Sequence, residues 1–182
     1  TFTFPDSKIP TLQNITFDAK PGQVTAIIGS TGSGKSSIIN LIPRFYDVSK
    51  GRVLVDNVDV RDYTQKDLRD KIGFVPQQAL LFSGTIRDNM HFGKPDGSDE
   101  EIRAALEVAQ AARFVARKEN GYDAEVSQGG KNFSGGQKQR LAIARALVKK
   151  PEIYIFDDSF SALDFKTDIR LRTALKEYTK TA

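Results

Sequence analysis

The sequence has no cysteine and a single histidine. The first absence excludes disulfides, a thiolate zinc site and a cysteine nucleophile. The second excludes a metal site built from several imidazoles. Long hydrophobic runs are also missing. Stretches such as Ala79-Leu80-Leu81-Phe82 and Ile153-Tyr154-Ile155-Phe156 are four residues, against the ~20 needed for a helix to cross a bilayer. No secretory-signal pattern is visible at Thr1. Charge of one sign is scarce, since 27 Lys and Arg against 23 Asp and Glu leave +4. That balance alone makes no case for nucleic acid. What remains is ordinary: 182 residues, 39% apolar and 27% charged, enough for one globular domain with a sizeable core. The chain opens on the strand-like Thr1-Phe2-Thr3-Phe4 without an initiating methionine and stops just after a helical pattern, so it reads as a piece of a longer protein.

Strand and helix signals alternate, which predicts an α/β class. Val24-Thr25-Ala26-Ile27-Ile28 reads as a buried strand ending at Gly29, and Lys35 to Leu41 as a helix stopped by Pro43. Asp56-Asn57 is a hairpin turn between Arg52–Val55 and Val58–Val60. Gln65 to Lys71 is a short helix capped by Thr64, followed by a strand from Ile72 to Val75. From Thr85 to Gly121 the signals are helical, with Ser98 and Glu101 forming a capping box. A loop from Glu125 to Phe133 leads into a helix from Gly135 to about Val148. Ile153 to Phe156 is a buried strand, and Asp164 to Tyr178 an amphipathic helix carrying Ile169, Leu171 and Leu175.

Gly29-Ser30-Thr31-Gly32-Ser33-Gly34-Lys35-Ser36 fits the phosphate-binding pattern G-x-x-x-x-G-K-[ST]. Glycines let the backbone curl so that successive N–H groups face phosphate oxygens, and the helix that follows adds its positive end. Lys35 would reach the β- and γ-phosphates, and the Ser36 hydroxyl would ligate Mg²⁺. Asp157 closes the strand from Ile153, where a carboxylate can hold the water shell of Mg²⁺; the plainer alternative is a turn acid. Phe133-Ser134-Gly135-Gly136-Gln137 opens a helix on two glycines, each costing about 1 kcal/mol relative to Ala. Taken alone, that segment fits a capping box and a second anion site equally well.

Together these segments resemble the nucleotide-binding domain of an ABC transporter, of the exporter type, over essentially the whole chain. Gly29 to Ser36 matches the Walker A loop. Phe133 to Gln137 resembles the signature LSGGQ, with Phe in place of Leu. Ile153 to Asp157 matches Walker B, and Ser161-Ala162-Leu163-Asp164 the D-loop. Gln77, after Phe74-Val75-Pro76, matches the Q-loop, and Leu80 to Ile86 also resembles the exporter type.

The resemblance implies a P-loop NTPase core with a mostly parallel sheet, antiparallel N-terminal strands and a helical subdomain. The core would span about 1–84 and 149–182, and the helical subdomain about 85–148. It implies ATP and Mg²⁺ as cofactors. Gly29, Ser30, Thr31, Gly32, Ser33, Gly34, Lys35, Ser36 and Ser37 would hold the nucleotide, with Phe4 stacked on adenine. Ser36, Gln77 and Asp157 would serve the metal. Lys35, Gln77 and Asp158 would carry the catalytic roles. Ser134, Gly135, Gly136 and Gln137 would bind the γ-phosphate of an ATP held by a partner domain. Two domains would enclose two ATP molecules head to tail, and closure and hydrolysis would drive a transmembrane domain of the same parent chain. The location implied is the cytoplasmic face of the cell membrane, with no nucleic-acid partner.

Three features depart from the family pattern. The catalytic base is ordinarily Glu, where this chain has Asp158, one methylene shorter. Such positioning is typically worth 10²–10⁴-fold. Family members with this change are commonly the degenerate half of a heterodimeric exporter, so a nucleotide-gated regulatory half is the competing reading. Gln128 stands where exporters usually carry Glu, which bears on coupling to membrane helices. The switch histidine would lie beyond Ala182, and His91 reads as a surface or packing residue. A DNA-repair ABC ATPase is disfavoured because no sustained heptads separate Lys35 from Asp157. A P-loop kinase would leave Ser134–Gln137 and Ser161–Asp164 unexplained. Lys138, Arg140, Arg145, Lys149 and Lys150 read as a solvated helix face. Phe114 and Tyr122 read as core or as a contact to the membrane domain.

Overall fold

The computed structural model describes residues 1–182, and the chain divides into two units, Thr1–Ile72 and Gly73–Ala182. In the first, an antiparallel bridge joins Phe2 to Leu12. Both side chains are buried with Leu41, and Phe4, Ile38, Val48 and Val53 pack around them. Leu41 comes from helix α1 (Lys35–Leu41). Strands β1 (Leu54–Val55) and β2 (Val58–Asp59) form an antiparallel hairpin. Asp56 and Asn57 both take positive φ, 51° and 64°, as a type I′ turn requires. Helix α2 (Gln65–Asp70) starts at Thr64, whose hydroxyl accepts the Asp67 amide.

The strand expected over Val24–Ile28 does not form. The segment has no ladder pairing, and Val24 and Ile28 are 88% and 92% exposed. A strand is a property of a pair, because its N–H and C=O groups must be met by a neighbour. In this unit the hairpin strands satisfy each other. The apolar run supplied the propensity without an adjacent edge.

The second unit is built around one helix. Strand β3 (Ile72–Val75) lies beside β6 (Ile153–Phe156). The amide of Asp157 bonds to Val75 O at 2.9 Å, so the two strands run parallel with their C-terminal ends together. Between them in sequence come β4 (Gly84–Thr85), α3 (Ile86–Gly93), α4 (Asp99–Val108), α5 (Ala112–Val115), β5 (Glu125–Val126) and α6 (Gly135–Val148). Helix α7 (Phe165–Tyr178) follows β6. The loop expected over Glu125–Phe133 begins instead with a two-residue pairing, Gly84 with Val126 and Thr85 with Glu125.

Helix α6 buries Leu141, Ile143, Leu147 and Val148 together with Ala142, Ala144 and Ala146. An apolar surface on nearly every side is the mark of a central helix. Its cluster takes in Ile86 and Met90 of α3, Ile102 and Leu106 of α4, and Leu171 and Leu175 of α7. Ile169, on the same amphipathic helix as Leu171 and Leu175, is 49% exposed. At Gly93 a Cβ would overlap the carbonyl oxygen of Arg145, so the end of α3 meets α6 backbone to backbone.

Both capping boxes foreseen or implied by the sequence close, at Ser98–Glu101 and Ser134–Gln137. The Glu101 carboxylate also receives Lys94 at 2.7 Å and Lys150 at 2.9 Å, tying α4 to the ends of α3 and α6. Lys94, then Lys150 and the Ser98 amide, hold the Glu101 carboxyl down to about 2 from an ordinary 4.5. The depressed folded value means that this network stabilises fully above about 4.5 and loses its contribution as pH falls through the folded value. Unfolding midpoints measured from neutral pH to about pH 2 should fall more steeply over the acid part of that range in the native chain than in Glu101→Gln. Parallel curves would show that the network contributes nothing.

Candidate functional site

In the first unit the phosphate-loop motif follows the unpaired segment Val24–Ile28. Gly32 and Gly34 take φ of 81° and 89°, a region that side chains with Cβ enter at a cost. Gly34 is the N-cap of α1, and a Cβ there would come within 2.7 Å of Leu12 Cδ2. The Lys35 ammonium curls back over the loop and donates to Gly29 O and Ser30 O, both at 2.8 Å. Ser33 N bonds to Ser30 O at 3.2 Å. Gly29, Ser30, Thr31, Gly32, Ser33 and Ser36 are exposed, and Lys35 and Ser37 half-buried. Phe4 is half-buried in a ring cluster, edge-on to Phe2 at 4.7 Å and to Tyr46 at 5.2 Å.

In the second unit the pairing of β3 with β6 brings Gln77 to Asp158. Gln77 Nε2 donates to Asp158 Oδ2 at 3.2 Å. Asp158 has φ of 45°, a left-handed conformation in which Asp and Asn are enriched among non-glycine residues. Its carbonyl accepts Ser161 Oγ at 3.0 Å, and the buried Ser159 hydroxyl donates to Val75 O at 2.9 Å. The turn after β6 is therefore pinned to the end of β3 on both sides of Asp158. Asp157 is half-buried at the strand end, whereas Asp158 is exposed.

The first turn of α6 satisfies the capping-box reading. Ser134 Oγ accepts the Gln137 amide at 3.3 Å, and Gln137 Oε1 accepts the Ser134 amide at 3.0 Å. The cap engages those amides and not those of Gly135 and Gly136, two of the orphan donors at a helix start. The two glycines differ. A Cβ on Gly136 would lie 3.0 Å from Ala162 O in the Ser161–Asp164 loop, whereas one on Gly135 would meet nothing within 4 Å. Gly136 thus has a packing reason within the chain. Gly135 is exposed and has none.

The family model described as ABC transporter matches residues 12–161. The chain belongs to the ABC transporter family. It is 52% identical over 180 residues to an uncharacterized ABC transporter ATP-binding protein of Mycobacterium bovis, covering 97% of this chain and 31% of that protein. It is 46% identical over 175 residues to the beta-(1→2)glucan export ATP-binding/permease protein NdvA of Rhodopseudomonas palustris, covering 96% and 29%. Among solved structures, a bacterial Atm1-family ABC exporter with ATP bound superposes with a TM-score of 0.93 at 40% identity, over 99% of this chain and 31% of that one. The chain therefore spans about a third of the length of these relatives. It is an ABC transporter ATP-binding domain, homologous to those of exporters, with the α/β fold of P-loop NTPases. No helix in it is long and apolar enough to cross a membrane.

Sequence reasoning misplaced two arginines of this ATP-binding domain. Arg140 donates to Gln110 O at 2.7 Å and to Gly136 O at 3.1 Å, with its guanidinium 4.7 Å from the Phe114 ring centre. Arg145 donates to Leu80 O at 2.8 Å and lies over Phe82 at 5.1 Å. Burial lowers the pKa of both. They are not on a solvated face. The signal lay in the pattern, because a helix apolar on every side has little solvated face on which to put them. Lys150 does fit the earlier reading, being exposed beside Glu101.

Gly135→Ala should leave the unfolding free energy unchanged or raise it by up to about 1 kcal/mol, the propensity difference between the two residues. Gly136→Ala should forfeit that gain against Ala162. Denaturant melts of the two variants compare them directly. Equal midpoints would remove the distinction between the glycines.

Proposed function

We propose that this domain is the motor of an export system: it binds MgATP on Gly29–Ser37, pairs head to tail with a second ATP-binding domain, and couples closure to a transmembrane partner. The observation that carries the reading is Gly135. A helix start that keeps glycine with no neighbour in its own chain, beside two amides outside the capping box, suits an anion brought by another molecule. The intact Ser134–Gln137 turn would then complete the ATP site of the partner domain.

The residue types suit Mg²⁺: Ser36 in the first unit offers a hydroxyl oxygen, and Gln77 and Asp157 in the second offer amide and carboxylate oxygens, the hard ligands this ion takes. When bound, Mg²⁺ offsets the charge that builds on the phosphates. The residues of the chain do the rest. Lys35 exchanges the carbonyls of Gly29 and Ser30 for phosphate oxygens. Phe4, braced by Phe2 and Tyr46, offers a ring to the purine. Asp158 accepts a proton from the attacking water, and Gln77 orients the Asp158 carboxylate. The place of work is the cytoplasmic face of the membrane.

A second reading rests on Asp158. Its side chain is short, its backbone left-handed and its carboxylate engaged by Gln77. Those features suit a site that holds ATP and turns it over slowly, making the domain the regulatory half of an unlike pair.

ATP turnover by the intact parent complex separates the two readings. Lys35→Ala should abolish turnover at this site if the chain is a catalytic motor. If Asp158→Glu raises turnover well above the starting protein, by ~10-fold or more, the regulatory reading holds. If Asp158→Glu changes nothing while Lys35→Ala abolishes turnover, Asp158 is an adequate base. If Lys35→Ala changes neither binding nor turnover, both readings fall.

A further inference from the structure

The segment between β3 and β4 carries Gln77, and helix α6 holds that segment at two points. Gln139, 2% exposed, donates its amide to Pro76 O at 3.4 Å. Arg145 donates to Leu80 O at 2.8 Å. The residues between these anchors, Gln77 to Ala79, form an arch whose first two members are exposed. Beyond it the chain is fixed again. Asn89, buried on α3, accepts Phe82 N at 2.9 Å and donates to Phe82 O at 2.8 Å.

Arg145 is an unusual choice for an anchor. Its guanidinium is paired with carbonyl and amide oxygens and with the rings of Phe82 and Phe92. No carboxylate lies within ion-pair distance. Desolvating a cation without a counter-charge is costly, and a neutral side chain could fill the same space. A planar fork that spans Leu80 O and Asn89 Oδ1 at once is what the arginine supplies and what a lysine or methionine lacks.

We propose that Arg145 is a positioning residue for Gln77: with Gln139 it ties both feet of the Gln77 arch to α6, so that the Gln77–Asp158 contact moves in register with the helix whose first turn carries Ser134, Gly135 and Gly136. A change at the start of α6 then reaches the Asp158 carboxylate through the arch. The inference rests on the ATP-site reading above for the roles of Gln77 and Asp158. Its structural half, the anchoring, stands on the contacts alone.

The test uses the full-length transporter with Arg145→Lys, Arg145→Met, Gln77→Ala and the Arg145→Met/Gln77→Ala double variant. Hydrogen exchange over residues 77–80 should quicken in Arg145→Met and, less strongly, in Arg145→Lys. In steady-state ATP hydrolysis, Arg145→Met should lower kcat by about ten- to a hundredfold, the usual scale of small misplacements, with KM within about twofold. Arg145→Lys should fall between Arg145→Met and the native residue. On the Gln77→Ala background, Arg145→Met should lower kcat by less than about twofold more, because the residue it positions is gone. Effects that multiply in the double variant, unchanged exchange at 77–80, or a loss of kcat matched by loss of folded protein would each overturn the proposal. If Arg145→Met does not fold, Arg145→Lys with and without Gln77→Ala makes the same comparison. Failure of the ATP-site reading shows itself separately, as Lys35→Ala without effect.

Discussion

Burial of α6 along almost its whole length, with only its first turn at the surface, is the constraint on which the second unit depends. Leu141, Ile143, Leu147 and Val148 share one buried cluster with side chains of α3, α4 and α7. Side chains of one helix therefore set the position of everything packed around it, because a close-packed interior deforms in steps and not continuously. The backbone contact at Gly93 and the close approach of Gly136 to Ala162 fix the two ends. The first turn, with its capping box and its two glycines, is held in place by apolar contacts further along the helix, from Leu141 to Val148.

The same helix reaches the chemistry by a polar route. Parallel pairing of β3 with β6 places Gln77 and Asp158 at one edge, where the ends of parallel strands commonly carry sites. Ser159 locks the turn to Val75, which holds Asp158 in a left-handed conformation that an isolated chain seldom visits. Gln139 and Arg145 attach the Gln77 arch to α6 from the other side. Fixed backbone bonds and desolvated side chains thus hold together residues that lie 81 positions apart in sequence. The ion pairs are weaker determinants. Most are exposed, and pairs of that kind contribute little each. The Glu101 cluster with Lys94 and Lys150 stands apart because it joins three helix ends.

Local signals in the sequence were reliable where the interaction itself was local. Thr64, Ser98 and Ser134 cap helices a few residues away, and Asp56-Asn57 turns a hairpin on its own conformational preference. The Gly29–Ser36 pattern and the Phe133–Gln137 turn were legible as motifs because each is defined by residue type at fixed spacing. Two expectations failed for a common reason. Val24–Ile28 had strand propensity but no neighbour within its unit, and Arg140 and Arg145 had charge but packed, half-buried, against carbonyls and rings. Each outcome was decided by what lies beside the segment, and spacing along one chain does not carry that information.

The sequence by itself determined the family, the match of Gly29–Ser36 to a phosphate-binding pattern and the helix starts, since these follow from side-chain type and short-range geometry. Only the tertiary structure decided that Gln77 meets Asp158, that Gly136 is a packing glycine while Gly135 is not, and that Arg145 faces inward to hold a loop. Those are contacts between segments tens of residues apart, and they exist because burying α6 leaves its neighbours few other places to go.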